Sequence, residues 1–270
     1  MRYPRFLHMD EVHHLIEPEG VTFILTGSSG RKLKRGGVNL LAGRAWQAEL
    51  FPLVSPEIPN FDIGRYLRFG GLPQVYGAEY PEEELDAYVT TYLKEEIREE
   101  ALVQNLTHFS RFLKVAALTN AQQLNYANVA NDSGIPSATV RAWFEILRGA
   151  GAPVPGTSEY GTAFGHWVAV ELRAFLSYSR AKLPLRFWRT YTGLEVEFVI
   201  GSSCALEVKA ITRVADRHCK GLRAFRDESP ESELILVSFD ENDRTTEDGI
   251  RLLHWRSFAR ELWNASLIRS

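Results

Sequence analysis

Residues 194–210 bring together side chains suited to hard-cation and water chemistry. The run Leu194-Glu-Val-Glu-Phe-Val-Ile200 turns through Gly201-Ser202-Ser203 into Cys204-Ala-Leu-Glu-Val-Lys-Ala210. Strand side chains alternate between faces. The spacing predicts Val196, Phe198 and Ile200 on one face, with Glu195 and Glu197 on the other. In the second run Leu206, Val208 and Ala210 take the apolar face, and Glu207 and Lys209 the polar one. Such a hairpin sets carboxylates and an ammonium above an apolar sheet. Carboxylate oxygens are what Mg²⁺ prefers, and a cation suits the charge that develops during phosphoryl chemistry. Glu197, Glu207 and Lys209 also read as a salt-bridged cluster on a scaffold, because structural ion-pair networks imitate active sites.

A second set of candidates lies near the start. Phe6-Leu7-His8-Met9 reads as a short strand ending in Asp10-Glu11, a Walker B pattern. In that pattern Asp10 holds Mg²⁺ and Glu11 polarises the attacking water. Val21–Thr26 reads as a buried strand leading to Gly27-Ser28-Ser29, where a small hydroxyl is placed to sense a γ-phosphate. Leu40-Leu-Ala-Gly-Arg44 follows. His8, His13 and His14 flank the acids without a zinc-site spacing.

The elements that must position these residues form a globular α/β chain. It has 270 residues, 45% of them hydrophobic and 24% charged, enough for one large domain or two ordinary ones. The net charge of −3 excludes a global nucleic-acid footprint, so any such binding needs a local patch. Cys204 and Cys219 lack metal-site spacing and suit a reducing, cytoplasmic location. The opening Met-Arg-Tyr-Pro-Arg does not read as a secretory leader. No apolar run reaches the roughly 18 residues of a membrane span, so no membrane partner is expected.

Residues 51–80 are rich in Pro and Gly and read as a connection. From Pro81 a helix is expected, with Leu85, Tyr88, Val89, Tyr92, Leu93 and Ile97 on one face. Its other face is acidic (Glu82, Glu83, Glu84, Asp86, Glu95, Glu96, Glu99, Glu100), either solvated or an interaction surface. Asn125–Asn131, a turn at 132–136 and a Ser137-capped helix to about Leu147 outline a helix-turn-helix. That outline reads as a structural winged helix, or as a DNA reader through Ser137, Thr139 and Arg141. Further on, a helix over 163–178 precedes strands at 185–190, 194–200 and 204–210. A helix near 216–226 and a strand at 233–239 complete the order αβββαβ.

The segments Asp10-Glu-Val, Phe23-Ile-Leu-Thr-Gly-Ser-Ser-Gly-Arg-Lys-Leu-Lys-Arg35, Asn39-Leu-Leu-Ala-Gly-Arg44 and Phe51-Pro-Leu resemble a prokaryotic group of predicted AAA+ ATPases. These carry a C-terminal domain of unknown function of the DUF-4143 type. Phe69-Gly-Gly-Leu-Pro73 and Tyr92-Leu-Lys-Glu-Glu-Ile97 continue the likeness. The resemblance implies an ATP and Mg²⁺ site, with Asp10, Ser28, Ser29 and Arg44 on the nucleotide and its metal and Glu11 as the catalytic carboxylate that polarises the water. Three regions are expected: a partial AAA+ core over 1–55, a helical lid and winged-helix-like region over 56–150, and an αβββαβ domain over 161–265. The last resembles the PD-(D/E)XK, or restriction-endonuclease-like, core. There Glu197 and Glu207 would hold Mg²⁺ and Lys209 would orient the attacking water.

Two departures from the family bear on activity. No Gly-x-x-x-x-Gly-Lys-[Ser/Thr] occurs in the sequence. The chain is therefore expected to be an N-terminally truncated relative without ATPase activity of its own. Strand 21–26 would then keep an open edge that invites self-association or a protein partner. DNA is a further expected partner, through Arg141 and the basic residues 31–35. In the other half, Phe164-Gly-His-Trp167 stands where the family has Phe-Glu-His-Phe, and Glu171 lies almost two helical turns away from the missing carboxylate.

Overall fold

The computed structural model describes residues 49–88, 106–118, 125–141, 143 and 160–268. Asp10, Glu11, Ser28, Ser29 and Arg44 lie outside the described residues. So do strand 21–26, the basic residues 31–35, and the end of the helix expected after Pro81.

A six-stranded mixed sheet organises the C-terminal part. Its strands are β1 (Leu185–Arg189), β2 (Glu195–Ile200), β3 (Cys204–Lys209), β4 (Glu233–Ser238), β5 (Arg244–Thr245) and β6 (Arg251–His254), in the order β1-β2-β3-β4-β6-β5. β1, β2 and β3 form an antiparallel meander, β4 and β6 run parallel to β3, and β5 is an antiparallel edge. Before the sheet come helices α1 (Ile63–Phe69), α2 (Pro73–Tyr76), α3 (Pro81–Ala87), α4 (Leu106–Leu118), α5 (Tyr126–Ser133) and α6 (Tyr160–Tyr178). Helix α7 (Lys220–Glu228) crosses from β3 to β4, and α8 (Trp255–Trp263) closes the described chain. The expected αβββαβ order is thus observed over 160–238. Strands β5 and β6 and helix α8 extend it.

Both faces of the sheet are covered, which is why β3 and β4 are almost continuously buried. On one face Leu206, Val208, Ile235 and Val237 meet Phe164, Trp167, Leu172 and Phe175 of α6 and Phe258 and Leu262 of α8. On the other, Val196, Val199, Ala205 and Leu236 meet Leu222 and Phe225 of α7. With Val168 and Leu176, the α6 residues fall at 164, 167, 168, 172, 175 and 176, the three- and four-residue spacing of one stripe along the helix. Residues 53–76 enter the same core: Ile58, Ile63, Tyr66 and Leu67 pack with Trp167 and Val168.

One expectation about strand faces needs correcting. Val196 does not share a face with Phe198 and Ile200. It joins Val199 on the α7 side, while Ile200 packs on the α6 side with Phe198 beside it. The cause is a shift in the β1–β2 register, where Arg186 pairs with Val199 but Trp188 pairs with Val196. β2 carries one extra residue there, a bulge, and an extra residue turns the following side chains over. Glycine lets α7 approach this bulge. A Cβ on Gly221 would lie 2.1 Å from the carbonyl oxygen of Glu195.

The helix-turn-helix outline has the expected local geometry. The Asn125 side chain accepts from the amides of Ala127 and Asn128, capping α5. Gly134 ends the helix with φ +67°, a left-handed conformation that glycine adopts without strain. The next helix begins one residue earlier than expected. The carbonyl of Pro136 accepts from Val140, so Pro136 is the cap and Ser137 the first helical residue. Ser137 and Arg141 are exposed and Thr139 is half-buried. No helix among the described residues is long and apolar enough to cross a membrane.

Candidate functional site

The sequence-predicted carboxylates and lysine do come together. Ala205 pairs with Val199 across the β2–β3 ladder, so Glu207 and Lys209 continue the α7-side face of β3 towards Glu197. Lys209 Nζ lies 2.6 Å from Glu207 Oε1 and 3.9 Å from Glu197 Oε1. Glu197 Oε2 accepts from the Val208 amide at 2.6 Å. Glu207 is buried, and its Oε2 has no hydrogen-bond partner. Glu195, set apart by the bulge, is half-exposed and pairs with Arg189 at 3.9 Å.

Electrostatics follow from this geometry. Burial lifts the Glu197 carboxyl to about 7; the Lys209 ammonium opposes that, and the Glu207 charge adds to it. Burial likewise pushes Glu207 up, against the Lys209 ammonium. For Lys209, burial works against the charge, but Glu197 and Glu207 outweigh it and the net direction is upward.

The upward shift of Glu197 has a definite sign for stability. Between the ordinary glutamate value of about 4.3 and about 7, the folded chain holds a proton that the unfolded chain has released. The stability due to this group is therefore full below that window and falls as pH rises through it. Glu197 is a third exposed, so solvent screening reduces the effect to about 1–2 kcal/mol. Urea unfolding at pH 5 and pH 8 should show Glu197→Gln gaining that much on the wild type between the two. Parallel profiles for the two proteins would contradict the shift.

His218 sits in the 3₁₀ turn Asp216–Cys219 that leads into α7, and its Nδ1 accepts from the Ala215 amide at 2.9 Å. Burial, then Arg217 and Lys209, hold its pKa down. A neutral imidazole near an ammonium has no signature in the linear sequence.

Glu171, the carboxylate considered for the first-helix position, has other partners. It is fully buried and accepts from the Ser55 amide at 2.7 Å, the Ser55 hydroxyl at 3.0 Å and Trp263 Nε1 at 2.6 Å. These bonds tie the segment before α1 and the end of α8 to the middle of α6. One signal for this was present: Glu171 stands among the apolar residues Val170, Leu172 and Ala174, where an acid needs buried donors. Among the described residues, no group of three or more His, Cys, Asp or Glu is placed to hold a metal ion.

Residues 160–258 match the family model described as Domain of unknown function (DUF4143), and residues 60–152 match Domain of unknown function (DUF8612). No curated protein and no solved structure matches the chain. The first match supports the expected DUF4143-type C-terminal domain.

Proposed function

We propose that this protein is a relative of AAA+ ATPases in which the C-terminal domain is a binding and scaffold module of PD-(D/E)XK-like descent. In this reading the Glu197–Glu207–Lys209 cluster holds the sheet together and does not cut nucleic acid. The observation that carries it is the Lys209 ammonium, 2.6 Å from one carboxylate and 3.9 Å from the other. The protein's own cation stands where a divalent cation would have to bind. The Val208 amide takes a third carboxylate oxygen, and Glu171 is fully engaged elsewhere. The ATPase link rests on the DUF4143 match, since such domains are often found alongside AAA-type ATPase domains. Asp10, Glu11, Ser28, Ser29 and Arg44 are its nucleotide-side residues, and a phosphate-binding loop would have to come from residues preceding this sequence or from another chain.

A second reading, a Mg²⁺-dependent nuclease, is favoured by one observation. Glu207 Oε2 is buried without a partner, as a metal-ligating oxygen would be before loading. Glu197 and Glu207 would hold the ion, and Lys209 would orient the attacking water. Purified protein should be incubated with Mg²⁺ or Mn²⁺ and with plasmid, single-stranded DNA and RNA. The scaffold reading predicts no more cleavage than Lys209→Met shows. Cleavage that disappears in both Lys209→Met and Glu207→Gln would replace it with the nuclease reading.

A further inference from the structure

We propose that the β1 edge of the sheet and the turn after it bind single-stranded nucleic acid. The inference does not depend on what the Glu197–Glu207–Lys209 cluster does. β1 is a terminal strand of the sheet. Along it Trp188 turns inward, its ring 5.5 Å from Phe225 and its Nε1 2.8 Å from Glu228. Phe187, its neighbour, points to the opposite face and is 59% exposed. Tyr191 is fully exposed on the turn that follows. That turn is firmly built: the Thr190 amide donates to the Leu194 carbonyl at 2.8 Å, and the Leu194 amide to Thr190 Oγ1 at 3.0 Å. Two aromatic rings are therefore held out in water by well-anchored backbone.

The charge around them is opposite to that of the chain. Residues 180–195 carry four cations (Arg180, Lys182, Arg186, Arg189) and one acid, Glu195, in a protein of net charge −3. Arg186 and Lys182 are exposed, and Arg189 lies 3.9 Å from Glu195. A charged edge of this kind discourages addition of a further β-strand. Exposed rings among cations suit a polyanion with free π-faces, which is an unpaired nucleic-acid strand. A duplex keeps its base faces stacked and offers the rings nothing.

Fluorescence anisotropy of the full chain with labelled dT20, U20 and a 20-base-pair duplex tests this. The expected result is binding of a single strand in preference to the duplex, with the dT20 and U20 arms separating DNA from RNA. Phe187→Ala and Tyr191→Ala should each weaken it about fivefold or more. Tyr191→Phe should leave it unchanged, since only the ring is used. Arg186→Glu should lower the salt slope by about 0.7 or more. Unchanged thermal melting of the variants would confirm that they fold. Equal affinity for the duplex, binding indifferent to both ring variants, no binding, or capture of poly-glutamate instead would each overturn the proposal.

Discussion

Gly221→Ala is expected to destabilise the protein by about 3 kcal/mol, at the upper end of what an overpacked contact costs. The new Cβ would meet the Glu195 carbonyl oxygen at 2.1 Å, and a backbone atom cannot rotate away as a side chain can. Either α7 lifts off the sheet, uncovering Leu222 and Phe225, or the β2 bulge gives way. Since the bulge lies next to Glu197, the second route also moves a carboxylate of the cluster. Chemical denaturation should show the loss. A cost below 1 kcal/mol would mean that α7 does not pack on the bulge as described.

The second large effect is expected from Lys209→Met, which keeps most of the side-chain stem and removes the charge. Glu207 loses its 2.6 Å partner while remaining buried. Breaking a fully buried pair costs about 3–5 kcal/mol; Lys209 is a third exposed, so about 2 kcal/mol is expected at pH 8. The loss should shrink towards pH 5, where Glu197, lifted to about 7, holds a proton and needs no cation. A destabilisation equal at both pH values would assign the effect to packing and not to charge.

The hairpin was legible because Leu206, Val208 and Ala210 alternate with Glu207 and Lys209, and in β3 Leu206 and Val208 join the α6-side core while Ala205 joins the other. Just before it, Glu195-Val196-Glu197-Phe198 alternates equally well, yet the bulge breaks the pattern. Its cause lies in the pairing with β1 and the approach of Gly221, which strand periodicity does not encode. Strand β6 is only Arg251–His254, too short for a periodic signal. Helix α8 did carry one, since Trp255, Phe258, Ala259 and Leu262 follow helical spacing. The Glu171 ties join residues 55, 171 and 263, and contacts of such sequence separation arise only when the core assembles.

In the proposed scaffold role Lys209 supplies the positive charge that Glu197 and Glu207 require. Isothermal titration of Mg²⁺ into the intact protein at pH 8 tests it most directly, with Glu207→Gln as the comparison. No saturable binding is expected in the wild type, and the same trace in the variant. One ion bound per chain in the wild type, lost in Glu207→Gln, would contradict it.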